Sequence, residues 1–69
     1  MNYGTRNHFE ATVTNIKMGT VMCQVDYVLD GGQKMSSVIT CDSADEMGLH
    51  VSDKVELIIK AINVIPVKK

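Results

Sequence analysis

Apolar and polar residues alternate along most of this chain with the two-residue period of half-buried β-strands. Phe9, Ala11 and Val13 alternate with Glu10, Thr12 and Thr14, which predicts a strand over 8–17. The cleanest run sets Val21, Cys23, Val25, Tyr27 and Leu29 on one face, with Met22, Gln24, Asp26 and Val28 on the other. Asp30, Gly31 and Gly32 then form a hairpin signal, because tight β-turns demand positive φ angles that glycine accepts. The chain should return antiparallel over 33–41, with Met35, Ser37, Ile39 and Cys41 facing one way and Ser36, Val38 and Thr40 the other. Lys54 to Ile62 alternates again, with Val55, Leu57, Ile59 and Ala61 set against Glu56, Ile58, Lys60 and Ile62. Val64 to Val67 reads as a short fifth strand, and Pro66 suits a sheet edge, where no ladder N–H is needed.

The two-residue period breaks between the third and fourth strands. Ser43 is a good helix N-cap, Glu46 three residues on completes a capping box, and Gly48 should end the turn after little more than one helical repeat. Lys17, Met18, Gly19 and Val51, Ser52, Asp53 read as turns. The expected fold is all-β: a small five-stranded OB-like Greek-key barrel with one short helix between strands 3 and 4. It occupies residues 1–69 as a single domain, with Met1 to Asn7 as a polar arm.

A chain of 69 residues buries only roughly 60% of the surface it exposes when unfolded, so such domains depend on disulfides, metals or association. Cys23 and Cys41 show no CxxC spacing and fall within strand patterns, which reads as buried thiols rather than a disulfide. His8 and His50 lack a spaced partner for zinc. Association remains. Met22, Val28, Val38, Ile58 and Ile62, on the outward faces, supply apolar surface for a homo-oligomer.

The net charge is −1, and with one Phe, two Tyr and no Trp the chain has neither the basic surface nor the stacking platforms of a nucleic-acid binder. No apolar run approaches the roughly 20 residues of a membrane span, and the N-terminus lacks a basic-then-apolar signal pattern. A cytoplasmic protein with no membrane partner is therefore expected. Without a nucleophile and base pair or a metal constellation, no catalytic residue is assigned and no enzyme is expected.

By alternation Thr40 and Lys60 both point outward, and Lys60 lies between Ile58 and Ile62. A subunit covering those isoleucines would leave an ammonium to be paired or hydrated, and a bound anion would pair it. The oxygens of an oxyanion only accept hydrogen bonds, so its site must be built of donors. The hydroxyls of Thr40 and Ser43, the backbone N–H groups near Ser43 and Ala44, Lys60 and Arg6 make such a set. Each also has a plainer reading: a cap, a strand residue, a snorkelling cation, a solvated arm. Asp42, Asp45 and Glu46 would repel an anion unless they point away, although acids are normal in a first helical turn.

The chain also resembles the molbindin (Mop) family, the small molybdate-binding domain known as a TOBE domain. The resemblance runs from Thr5, Arg6, Asn7 through Gly31, Gly32, then Val38, Ile39, Thr40 with Ser43, then Leu49, and finally Ile59, Lys60, Ala61. It implies an OB-like barrel that forms a homo-oligomer, commonly a hexamer built as a trimer of dimers, and binds molybdate or tungstate between subunits. The ligand would be the intact oxyanion and not a free metal cation. Carried over by position, Thr40, Ser43 and Lys60 come from one subunit and the arm with Arg6 from another, with Asn7 either a ligand or a brace for the arm. The family's arm reads Ser, Ala, Arg, Asn; here it reads Gly4, Thr5, Arg6, Asn7, so the hydroxyl moves one place along to Thr5. The implied role is intracellular storage or buffering of molybdate. The rivals are an OB-type single-stranded nucleic-acid binder and a purely structural oligomerisation module.

Overall fold

A computed structural model describes residues 6–69. In chain order they form β1 (Asn7–Met18), β2 (Met22–Leu29), β3 (Lys34–Thr40), α1 (Cys41–Met47) and β4 (Lys54–Ile59), with a 3-10 turn at Ala61–Asn63. β1 is long enough to be shared. Its first half pairs antiparallel with β4, from Asn7↔Ile59 to Thr12↔Lys54, and its second half with β2, as far as Met18↔Cys23. β3 pairs with β2, which gives the order β3-β2-β1-β4: three consecutive strands, and a fourth that returns through α1 to lie beside the first.

Alternation along β1 does not survive its whole length. Val13 lies opposite Tyr27 but Asn15 lies opposite Asp26, so Thr14 is an extra residue, a β-bulge. Its effect is a change of phase. Ala11 and Val13 face the core, and the bulge turns Asn15 out and lets Ile16 pack inward in its place. Thr14 Oγ1 donates to the Asp26 carbonyl at 3.2 Å. The Asp26 carboxylate accepts from Gln24 at 2.9 Å and from Ser36 at 2.7 Å, and these bonds, Gln24's first, hold it below the usual carboxylate range. From the other side the 51–53 turn docks on the same place: Val13 N–H donates to the Asp53 carbonyl at 2.9 Å and Ser52 N–H to the Val13 carbonyl at 2.8 Å.

The β2–β3 hairpin forms as the glycine pair predicts, with Gly32 at φ 93 and Leu29 N–H donating to the Gln33 carbonyl at 2.7 Å. Gly19 is required for another reason, because a side chain there would collide with the Met22 carbonyl. The core is small. Among the described residues Ala11, Val13, Cys23, Val25, Tyr27 and Ala44 are buried, with Ile16, Leu29, Ile39, Leu49, Val55 and Leu57 packed partly buried around the strand cluster.

Two expectations for the C-terminal third are corrected. β4 stops at Ile59, not Ile62, and 64–67 pairs with no strand among the described residues, so the sheet has four strands and a fifth is not formed. The cause is the length of the partner: the ladder with β1 ends at Asn7↔Ile59, and past it the chain bends into the 3-10 turn. The apolar tail therefore stays uncovered, with Ile65 82% and Val67 81% exposed. Of the five outward apolar residues, Met22, Val38, Ile58 and Ile62 are exposed and Val28 is half-buried.

Val25 is fully buried in the strand cluster, so Val25→Ala should lower stability to urea by about 2 kcal/mol without changing the fold. A midpoint unchanged in urea titration would contradict the assigned core.

Candidate functional site

β3 ends and α1 begins at one residue. Thr40 is the last ladder residue of β3, opposite Met22, and its extended backbone (φ −69, ψ 147) makes it the N-cap of α1. Its Oγ1 accepts from Ser43 N–H at 3.0 Å and donates its own proton to Ser43 Oγ at 2.8 Å. The expected box of Ser43 with Glu46 is thus corrected: the helix starts three residues sooner, Thr40 caps it, and Ser43 is the third helical residue. Strand pairing decides the matter. Cys41 N–H still donates to the Val21 carbonyl at 2.7 Å, so the ladder carries the chain up to Thr40 and the turn follows at once. Gly48 closes the helix as expected, left-handed at φ 62, with Gly48 N–H on the Asp45 carbonyl and Leu49 N–H on the Ala44 carbonyl. The helix has seven residues, nearly two turns rather than one.

This geometry sorts the donors. Ser43 Oγ receives the Thr40 proton, which leaves the Ser43 O–H itself to donate outward from an exposed position. Ser43 N–H is already bonded to Thr40. Ala44 is buried and lies one turn inside the helix, where backbone N–H groups join the helical ladder. Asp42 adds negative charge in the first turn, so cations must come from elsewhere to hold an anion here.

The remaining candidates gather at the far end of β1. Asn7 Nδ2 donates to the Ile59 carbonyl at 3.2 Å, which holds the start of β1 beside the residue before Lys60. Lys60 is exposed, just past β4, at φ −64 and ψ 138. Arg6, also exposed, precedes Asn7. Thr5 and Gly4 lie outside the described residues. A hollow of about 370 Å³ adjoins this corner, lined by Phe9, Leu29, Met35, Ile59 and Val64 among others.

The register sets these two groups apart. Thr40 is level with the start of β2, where β1 ends, whereas Lys60 is level with the start of β1, and β3 and β4 are opposite edges of the sheet. Thr40 and Ser43 therefore occupy one corner, and Arg6, Asn7 and Lys60 the diagonal one. Between them runs β1, 12 residues long, a strand path on the order of 40 Å.

The same register brings the two cysteines together. Cys23 lies opposite Ile39, so Cys41 is its diagonal neighbour, and their sulfurs are 2.7 Å apart as free thiols. The hydrogen bond with Cys23, then burial, pushes the Cys41 thiol above its usual range. Neither the spacing nor the alternation of the sequence signals this contact; only the pairing of β2 with β3 does. Among the described residues no three His, Cys, Asp or Glu side chains are grouped to hold a metal ion, and no helix is long and apolar enough to cross a membrane.

The family model for the TOBE domain matches residues 4–66. The chain is 30% identical over 64 residues to Molybdenum-pterin-binding protein 1 of Clostridium pasteurianum, covering 93% of this chain and 94% of that one. It is 39% identical over 61 residues to Molybdenum-pterin-binding protein MopA of Rhodobacter capsulatus, which covers 88% of this chain but 23% of the relative. Among solved structures, a molybdate binding protein from Sporomusa ovata superposes with a TM-score of 0.93 at 35% identity, covering 99% of this chain and 100% of its own. The cytoplasmic molybdate-binding protein ModG, with molybdate bound, superposes with a TM-score of 0.86 at 38% identity over 88% of this chain and 43% of its own.

The cap itself is testable without a ligand. Thr40→Ala should cost about 1 kcal/mol of stability and loosen α1, read by chemical denaturation and amide exchange at Ser43, while Thr40→Ser keeps the bond. Equal stability of both variants would remove Thr40 as the cap.

Proposed function

Because the chain belongs to the TOBE domain family, we propose that it binds molybdate or tungstate as an intact oxyanion at a site shared between copies of itself. One observation carries the arrangement: its hydroxyl donors and its cationic donors stand at diagonal corners of one sheet. A tetrahedral dianion needs both. The resemblance puts Lys60 in the same copy as Thr40 and Ser43; the diagonal corners favour a different split, in which Ser43 O–H, set in place by Thr40, donates from one copy while Lys60 and Arg6 of another balance the charge and outweigh Asp42. Asn7 holds the start of β1 beside the residue before Lys60, Thr5 supplies the arm's hydroxyl, and the backbone near Ser43 and Ala44 lies beside the anion.

Assembly is the second half of this reading. The uncovered tail and the outward faces of Met22, Val38 and Ile58 supply the apolar surface for a homo-oligomer, a hexamer arranged as a trimer of dimers. Against a second copy, Val64 to Val67 becomes the fifth strand and completes the Greek-key barrel. The protein is then a cytoplasmic store or buffer for molybdate, a binding protein and not an enzyme. Its likeness over most of its length to the cytoplasmic molybdate-binding protein ModG supports this role.

Ser43→Ala and Lys60→Ala should each weaken molybdate binding by tenfold or more, about 1.4 kcal/mol upward, in equilibrium dialysis. The informative experiment mixes the two variants, dissociated and reassembled together. If Ser43 and Lys60 of one site come from different copies, about a quarter of the sites regain wild-type affinity. No recovery from a mixture shown to contain mixed oligomers would put both residues in one copy, against the arrangement proposed.

A further inference from the structure

Next to the proposed oxyanion site, with Cys41 between Thr40 and Ser43, lies a cluster of three sulfur atoms. Cys23 Sγ is 2.7 Å from Cys41 Sγ and 3.4 Å from Met18 Sδ. Both cysteine backbones are fixed: Cys23 by the β2–β3 ladder, and Cys41 by its N–H bond to the Val21 carbonyl at 2.7 Å. Exposure differs between the two. Cys23 is fully buried, whereas Cys41 is half-buried at the first position of α1 and its thiol reaches the Gly19 carbonyl at 3.6 Å.

We propose that Cys23 and Cys41 are a reversible dithiol–disulfide pair, oxidised by a peroxide within a single chain. Cys41 is the accessible thiol; its contact with Cys23 and its burial hold the proton, so it reacts slowly, through the thiolate that forms when that proton is lost, and the thiolate attacks one peroxide oxygen. The O–O bond breaks, one oxygen leaves as water, and Cys41 becomes a sulfenic acid. Cys23, already in contact, attacks the Cys41 sulfur as its own proton passes to the departing hydroxyl. The sum is two thiols and hydrogen peroxide giving one disulfide and two molecules of water. An external dithiol reverses it by exchange.

The geometry favours this outcome over its competitors. The resolving thiol is in contact before the first step, so ring closure within the chain is faster than capture by a second molecule. The bridge would tie β2 to the residue following Thr40 and so anchor the start of α1. It would also close a loop through the β2–β3 hairpin, which restricts the unfolded chain.

The test uses the full chain, reduced, freed of reductant and treated with a small excess of hydrogen peroxide. Intact mass after denaturing alkylation should show loss of both reactive thiols and of about two hydrogens, still as one chain on a non-reducing gel, and reversal by dithiothreitol. The oxidised form should melt about 5–15 °C higher. Cys23→Ala should instead hold Cys41 as a sulfenic acid trapped by dimedone. Cys41→Ser, at a half-buried position, keeps the test open if the Cys23 variant fails to fold: it should leave Cys23 unreacted. Two alkylated thiols in the treated wild-type protein, or a disulfide linking two chains, would overturn the proposal.

Discussion

The structure depends on one strand being paired on both sides. β1 holds β4 with its first half and β2 with its second, and the bulge at Thr14 is where the phase of the strand changes. That bulge puts Ile16 rather than Asn15 against the core, and it receives the 51–53 turn through both the N–H and the carbonyl of Val13. The path from α1 back to β4 is fixed by those two bonds. The separation of the donor groups follows from the same pairing, since what lies at the two ends of β1 cannot lie together in the sheet.

Size adds the second constraint. A core of Ala11, Val13, Cys23, Val25, Tyr27 and Ala44 is small even for a short domain, and much apolar surface remains outside it. Assembly answers both needs at once in the proposed arrangement: it covers the outward faces and the tail, and it brings the Ser43 corner of one copy to the Lys60 corner of another. A ligand held between copies then stabilises the assembly by mass action. In that arrangement, binding of the oxyanion and cohesion of the oligomer are one equilibrium.

Alternation made β2, the hairpin at Gly31 and Gly32 and the inward face of β3 legible from the sequence, because those elements are regular and their faces differ in polarity. The bulge was not legible. Its mark is a spacing of three between Val13 and Ile16 where two is regular, and a single slip of that kind reads equally well as the strand's end. The helix start was misplaced because Thr40 and Ser43 are both good caps, and only the last ladder bond, from Cys41 to Val21, chooses between them. The end of β4 is hidden in the sequence because its alternation runs on past the point where β1 ceases to pair with it. Of the candidate site, the outward placement of Thr40 and Lys60 could be read from period two, but their distance from each other is a property of register, as is the contact between Cys23 and Cys41.

In the proposed arrangement the chain holds molybdate or tungstate through donors and charge. Calorimetric titration of the anion-free, assembled protein at physiological salt tests it most directly, with molybdate, tungstate and sulfate as parallel ligands. Tight, saturable binding of molybdate or tungstate with little response to sulfate is the expected result. A folded and assembled protein that binds none of the three would contradict it and leave a purely structural oligomerisation module.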